Sequence, residues 1–351
     1  MTMIITGLAS YGMSGSVFHA PFLDTHPGFQ LHTIVERSKD LARKRYPSVN
    51  IVRSFDELLR IDEIQLVIVN TPDVTHYDYV KKALSAGKHV VVEKPFVFKA
   101  TEGEELVELA QKKGLLLAVY QNRRWDGDFL TVQRIIESGV LGRVVEFQST
   151  YQRFRKFIQP GTWKERADGQ VGLTFNLGSH MIDQAVVLFG KPQAVYADID
   201  RLRDRSEVDD YYFIKLIYPK VKVTLRAGYL MREEIPRYSI NGTEGSFIKY
   251  GLDPQEELLK AGAIPSGAQW GKEPETEWGT LNTDIQGLHY RGKVETLPGN
   301  YMAFYDDIHH ALTRGVKPQT DAAAVLTVIR IIEAAFESSC SGREIAIASR
   351  P

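Results

Sequence analysis

Residues 3–18 read Met-Ile-Ile-Thr-Gly-Leu-Ala-Ser-Tyr-Gly-Met-Ser-Gly-Ser-Val-Phe. Met3 to Thr6 form a short apolar strand, the segment from Gly7 to Gly15 a glycine-rich turn, and Val17 and Phe18 begin a helix. Strand, turn and helix in that order are the setting of the dinucleotide-binding G-x-G-x-x-G pattern. Here Ser10 stands where the first glycine is usual. Gly12 lets the backbone approach a pyrophosphate, with Met13 beside it in the turn, and Gly15 lets the helix pack closely on the strand. The helix start offers free N–H groups to phosphate. An ordinary strand-to-helix turn has the same outline, so the second strand matters. Leu31 to Val35 closes on Glu36-Arg37-Ser38. This is about 20 residues past the turn, where an acid binds an adenosine ribose. Glu36 suits the free ribose hydroxyls of NAD. Arg37 and Ser38 suit a 2′-phosphate, which guanidinium grips in two places. The two cofactors stay open on these residues.

The alternation continues beyond the second strand. Leu66 to Asn70 is a continuous apolar run ending at Thr71-Pro72, and Thr75 to Ala86 is a helix stopped by Gly87. His89 to Glu93 is a strand, Thr101 to Lys113 a helix with Thr101 and Glu104 at capping-box spacing, and Leu115 to Tyr120 a further strand. Strands alternating with helices predict βαβ units and a parallel sheet. This places an α/β Rossmann domain at residues 1–120. The later pattern differs. Arg143 to Phe154, Val195 to Leu202, Tyr211 to Tyr218 and Val221 to Leu230 alternate as strands joined by short turns. Tyr238 to Tyr250 reads as a hairpin around Gly242-Thr-Glu-Gly245. Residues 121–351 are therefore expected to form an α+β domain with a large, mostly antiparallel open sheet. One face would be packed and the other available to a partner subunit. Residues 253–298 read as a polar excursion, followed by helices over Asn300–Arg314 and Thr320–Ser339.

The chain has 351 residues, 43% hydrophobic and 25% charged, with a formal net charge of −1. That length favours two cores. The balanced charge gives no basic stripe for nucleic acid. The single cysteine, Cys340, excludes an internal disulfide and a cysteine zinc site. It is expected as a buried thiol late in an apolar helix. The amino terminus lacks a signal-peptide pattern, and no apolar run reaches membrane-span length. The expectation is a cytoplasmic protein with no membrane, nucleic-acid or metal partner.

Two stretches carry chemistry. The first is His89-Val-Val-Val-Glu93-Lys94-Pro95. Ligands of an open α/β sheet sit beyond the carboxyl ends of its strands. A lysine there can exchange a proton with a bound substrate once burial or a nearby cation lowers its pKa. Asn122-Arg-Arg124-Trp125 follows the last strand. Its arginines suit a phosphate or a polyol, and equally a salt-bridged hinge. The second stretch holds Asn176, His180 and Asp183, four and three residues apart on one helical face. His180 can exchange a proton near neutral pH, and Asp183 can fix its tautomer. His180 has no second histidine at ligand spacing. Arg153, Trp163 and Tyr301 are weaker candidates for a substrate wall.

These residues resemble the glucose–fructose oxidoreductase, inositol dehydrogenase and rhizopine-catabolism (Gfo/Idh/MocA) oxidoreductases along essentially the whole chain. The marks are the glycine turn, Thr71-Pro72 with His76, Glu93-Lys94-Pro95, and the helix with His180 and Asp183. The runs 121–128, Arg153-Phe-Arg155 and 250–256 look most like the branch of NADP-dependent scyllo-inositol dehydrogenases. The resemblance implies an NAD(P) cofactor, with NADP favoured, held by Ser10, Gly12, Met13, Gly15, Glu36, Arg37, Ser38, Thr71, Pro72, His76, Glu93, Lys94, Asn122, Arg124 and Trp125. It implies catalysis by Lys94, His180 and Asp183 on the ring carbinol of a cyclitol or sugar. It also implies a homodimer or homotetramer assembled through the carboxyl-terminal sheet. Asn176 stands where many members carry aspartate, which favours the alternative of a non-catalytic dinucleotide-binding sensor.

Overall fold

The computed structural model describes residues 3–159, 165 and 172–347. The chain packs into two compact units that do not follow chain order. The first gathers residues up to 122 with 255–270 and 300–326; the second gathers 123–254, 271–299 and the chain from 327 on.

In the first unit, six strands form one parallel sheet: β1 (Ile4–Leu8), β2 (Phe29–Val35), β3 (Asn50–Val52), β4 (Leu66–Val69), β5 (His89–Val92) and β6 (Leu117–Val119). Their order is β3-β2-β1-β4-β5-β6. Helices cover both faces of such a sheet, so its central strands read as unbroken apolar runs. All four residues of β4 and Val90 to Val92 of β5 are fully buried. The order reverses between β1 and β4, and a crevice opens there beyond the carboxyl ends of the strands. Helix Met302–Arg314 returns to this unit and packs Tyr305 on Phe22, ring centroids 5.3 Å apart.

In the second unit nine strands form a sheet: β7 (Val144–Gln152), β8 (Ala194–Asp200), β9 (Tyr211–Ile217), β10 (Lys222–Gly228), β11 (Tyr238–Gly242), β12 (Gly245–Lys249), β13 (Gly279–Ile285), β14 (Leu288–Val294) and β15 (Ile345–Ala346). The order is β14-β13-β12-β11-β7-β10-β9-β8-β15. Among the described residues, only β7 and β10 of this sheet pair in parallel. Burial alternates along the strands, so Tyr212, Ile214 and Leu216 of β9 face the core while Phe213 and Lys215 face outward. The expected α/β plus antiparallel α+β architecture is the one observed.

Several local expectations give way. The excursion at 253–298 contains a helix, Gln255–Lys260, and the β13–β14 hairpin. Gln286 and Gly287 both have positive φ at its turn, the requirement of a two-residue type I′ connection. Gln-Gly is a weaker signal for that turn than Asn-Gly, and β14 is largely exposed, its alternation of Leu288, Tyr290 and Val294 with His289, Arg291 and Lys293 interrupted by Gly292. The Thr101 capping box is absent. The helix begins at Ala100, after Lys99, which places Thr101 inside the first turn. A side-chain cap does form at Ser54, whose Oγ accepts the Glu57 amide at 3.2 Å. Cys340 is exposed, not buried. Ser338 takes the core-facing position of that helix and donates to the Arg343 carbonyl while accepting the Ala197 amide. Two residues further on is roughly 200° around the helix, which turns Cys340 outward. No helix among the described residues is long and apolar enough to cross a membrane.

Candidate active site

The crevice at the β1–β4 reversal is a cleft of about 590 Å3 lined by Ser10, Gly12, Glu36, Arg37, Ser38, Thr71 and Pro72 among others. Its floor is fixed by a pair of side chains. Asn70 Oδ1 accepts the Ser10 amide at 2.9 Å, Asn70 Nδ2 donates to the Ser10 carbonyl at 2.9 Å, and Ser10 Oγ donates to the Asn70 carbonyl at 2.8 Å. Serine thus serves in place of glycine because its φ stays outside the left-handed region and its hydroxyl finds a carbonyl. Gly15 is required by the protein itself. A Cβ there would lie 2.3 Å from the Ser10 carbonyl oxygen and 2.8 Å from Asn70 Nδ2. Gly12 is not: a Cβ would meet nothing nearer than Ser10 Oγ at 4.0 Å. A glycine that nothing in the protein demands, on the wall of a cleft, fits a position kept bare for a ligand's phosphates. Met13 is exposed beside it.

We expect Gly15→Ala to destabilise the fold by about 1–3 kcal/mol through overpacking and to weaken dinucleotide binding. Thermal unfolding and a fluorescence titration with NADP+ check both. A variant with unchanged midpoint and affinity would contradict the close packing.

Past the end of β2, Glu36 is buried. Its two carboxylate oxygens accept the Leu41 and Ala42 amides at 3.1 and 3.0 Å, at the start of the short helix Ala42–Arg45. The Arg53 guanidinium donates to the Glu36 and Lys39 carbonyls at 2.9 and 2.7 Å and pins this loop. Arg37 and Ser38 stand exposed on the cleft wall. His76, at the start of helix His76–Ser85, is fully buried, with Nδ1 2.8 Å from the Pro95 carbonyl and Nε2 3.1 Å from the Thr71 carbonyl. It braces the loop after β4 against the loop after β5.

The end of β5 carries Glu93, Lys94 and Pro95, with a cis peptide between the last two. Glu93 is tied on both oxygens. Oε1 accepts Ser14 Oγ–H and lies 3.0 Å from His19 Nε2, and Oε2 accepts the Lys94 amide at 3.1 Å. His19 is fully buried, and its Nδ1 lies 2.9 Å from the Tyr305 hydroxyl. Burial pushes the Glu93 carboxyl up, but the bonds to His19 and Ser14 and the Lys94 charge outweigh it and lower it to about 2. Sequence reasoning did not single out His19, Ser14, Asn70 or Tyr305. Tyr305 lies over two hundred residues from Glu93 in the chain, and only the fold brings it to His19. Ser14 and His19 sit next to the glycine turn, where their proximity to Asn70 and Glu93 follows once the sheet order is known.

This network makes stability depend on pH with a definite sign. The folded-state carboxyl of Glu93 lies below its ordinary 4.5, so its contribution is full above that value and is lost as pH falls towards about 2. Glu93→Gln should therefore be less stable than the wild type at neutral pH, with the gap closing across that acid window. Urea unfolding midpoints against pH measure it; a gap that stays constant would contradict the assigned burial and bonding.

In the second unit, helix Ser179–Phe189 follows a wider turn, Thr174–Gly178, that contains Asn176. His180 and Asp183 are both buried on it. Arg124 grips Asp183 with two bonds, Nε at 2.7 Å and Nη2 at 2.6 Å. The pairing is bidentate and Asp183 is buried, so removing Arg124 would strand the carboxylate's charge. Gln184 on the same helix donates to the Arg123 carbonyl at 2.8 Å and accepts from Arg237 and Tyr238. The turn Asn122–Trp125 is thus tied to the His180 helix through Arg123 and Arg124. Asn122 and Trp125 are buried. Of the weaker candidates, Arg153 is exposed, Tyr301 is fully buried in the core of the first unit, and Trp163 lies outside the described residues.

Family models match both parts of the chain. The NAD-binding Rossmann fold of the Gfo/Idh/MocA oxidoreductases covers residues 3–121, and that family's C-terminal alpha/beta domain covers residues 133–347. The chain belongs to the Gfo/Idh/MocA oxidoreductase family. It is similar to scyllo-inositol 2-dehydrogenase (NADP(+)) IolW of Bacillus subtilis (strain 168), 40% identical over 97% of this chain and 95% of that protein. It is also similar to oxidoreductase C115.03 of Schizosaccharomyces pombe, 42% identical over 98% of this chain and all of that one. The crystal structure of an oxidoreductase from Bacteroides fragilis superimposes with a TM-score of 0.92 at 53% identity, covering 98% of this chain and 99% of that one.

As a Gfo/Idh/MocA oxidoreductase, the protein binds NAD(P) through its Rossmann domain. The cleft fits that cofactor on its own terms. Gly12 keeps one wall bare, Gly15 allows the helix its close approach to the strand, and Glu36, Arg37 and Ser38 line the same cleft.

Proposed function

We propose that this protein is an NADP-dependent dehydrogenase acting on the ring carbinol of a cyclitol or sugar, with scyllo-inositol as the model substrate. The observation that carries the cofactor preference is the Glu36 carboxylate, turned onto the Leu41 and Ala42 amides. An acid that reads the free ribose hydroxyls of NAD would need those oxygens. Tied to the amides, it leaves the ribose end to Arg37 and Ser38, which suit a 2′-phosphate. The substrate class is supported by the likeness to IolW, whose name states NADP(+) and scyllo-inositol.

When bound, the nicotinamide would supply the redox chemistry, as a hydride acceptor for the carbinol carbon. The chain's task is to place groups and move a proton. Lys94 takes the hydroxyl proton as the C–H bond breaks and the carbonyl forms, and returns it in reduction. Glu93 fixes the backbone at Lys94 and supplies a negative charge beside the amine. His180 is assigned as a second proton-handling group, and the Arg124–Asp183 pair holds the helix that carries it. Asp183 thereby acts on the position of that helix instead of taking a proton itself.

Association through the open sheet belongs to the same proposal. Tyr196, Phe213 and Ile248 lie on the outward face of β8, β9 and β12. Light scattering should return a multiple of the chain mass; a monomer at working concentration would remove this part. The direct test of function is an assay of scyllo-inositol oxidation with NADP+ and with NAD+.

A further inference from the structure

The network behind Lys94 contains one group whose role the family reading does not supply. His19 ends the helical turn Gly15–His19 that follows the glycine turn, is fully buried, and reaches Glu93 Oε1 at 3.0 Å while its other ring nitrogen lies 2.9 Å from the Tyr305 hydroxyl. Tyr305 donates to the Phe18 carbonyl at 2.7 Å, and Tyr120 donates to the same oxygen at 3.0 Å. The Tyr120 ring packs against the imidazole, centroids 4.5 Å apart. The imidazole is therefore held on its edge and its face.

A carboxylate next to a lysine in sequence is drawn to the lysine's ammonium, since an opposite charge within a few ångströms favours the charged form of both. A Glu93 carboxylate closed on Lys94 would keep the amine protonated and draw it back from a substrate. Two bonds to Oε1, from His19 and Ser14, and one from the Lys94 amide to Oε2 resist that movement.

We propose that His19 is a positioning residue for the Lys94 amine, acting by restraining the Glu93 carboxylate. The inference rests on the assignment of proton transfer to Lys94. It adds that the glycine turn does two jobs: its backbone borders the dinucleotide cleft, and Ser14 and His19 beside it set the group that does the chemistry. The titratable groups around the carboxylate are Lys94, His19 and, behind His19, Tyr305.

The test is the titration of Lys94 in the full chain, followed by carbon-13 NMR after reductive methylation of lysines, with Lys94→Arg to assign the signal. Removing the anion in Glu93→Gln should move the Lys94 midpoint down by about one unit. Removing the restraint in His19→Ala should move it up by about one unit, because the freed carboxylate closes on the amine. His19→Gln, which keeps a donor, should return most of the way to wild type. Ser14→Ala, at a half-buried position, should shift it upward by less and serves if His19→Ala fails to fold. An unchanged midpoint in both His19→Ala and Ser14→Ala, or a downward shift matching Glu93→Gln, would overturn the proposal. The parent assignment fails separately: a Lys94→Ala protein with full turnover would end it whatever the titration shows.

Discussion

Lys94→Ala should lose turnover by at least about 10²-fold, the lower range for removing a positioned acid–base group, while its affinity for NADP+ stays within a few-fold. The lysine lies past the end of β5, and the cleft walls formed by Ser10, Gly12, Glu36 and Arg37 do not include it. The backbone around Lys94 is held independently of its side chain, by Glu93 Oε2 on its amide and by His76 on the Pro95 carbonyl. Truncation at Cβ therefore removes the amine without collapsing the strand end. Steady-state rates with scyllo-inositol, set beside a fluorescence titration with NADP+, separate the two effects. Equal loss of cofactor binding with the remaining chemistry intact would place Lys94 in the cofactor site and not in proton transfer.

The second large effect concerns the ribose end. Arg37→Ala should raise the NADP+ KM by about tenfold or more, since a hydrogen bond to a charged group contributes roughly 1.5–3 kcal/mol, and should leave the NAD+ KM unchanged. Salt should weaken NADP+ binding to the wild type more than to the variant, because Arg37 is exposed and its interaction is screened. The companion change, Glu36→Gln, weakens the hold on the Leu41 and Ala42 amides and should loosen the loop that presents Arg37. If Arg37→Ala alters neither KM, the guanidinium does not hold the phosphate. If it alters both equally, it acts on the cleft's shape.

Much of the fold is legible in the sequence for a physical reason. A parallel sheet buried on both faces leaves apolar runs such as 66–69 and 89–92 between helices, and their alternation with helical segments marks the βαβ order. The one-sided alternation of residues 211–217 marks the second sheet just as plainly. What escapes is what depends on distant partners. The β14 strand is largely exposed, so the alternation of Leu288, Tyr290 and Val294 marks no buried face, and its pairing with β13 runs through a Gln-Gly turn that is a weak hairpin signal. Gln255 is fully buried because its side chain accepts from the Trp270 indole and the Tyr301 amide, neither of which a local pattern predicts.

The candidate site divides along the same line. Gly15 and Lys94 are picked out by motif and local context. The state of Glu36 is not, because a glutamate at a strand end has the same letter whether its oxygens face a ribose or a helix start. Arg124 shows the limit most clearly. The sequence leaves it between a phosphate ligand and a salt-bridged hinge, and the structure places its guanidinium on Asp183 in two bonds. His19 carries no motif at all; its meaning comes from Glu93 on one side and Tyr305 on the other.

The measurement that bears most directly on the whole account is an absorbance trace at the reduced-nicotinamide band with purified protein, NADP+ and scyllo-inositol, repeated over a panel of cyclitols and sugars and with NAD+. The account predicts a sustained rise with NADP+ and at least one ring polyol, absent in Lys94→Ala. A flat trace across the whole panel with both cofactors, from protein that still binds NADP+ tightly, would contradict it and leave a dinucleotide sensor in its place.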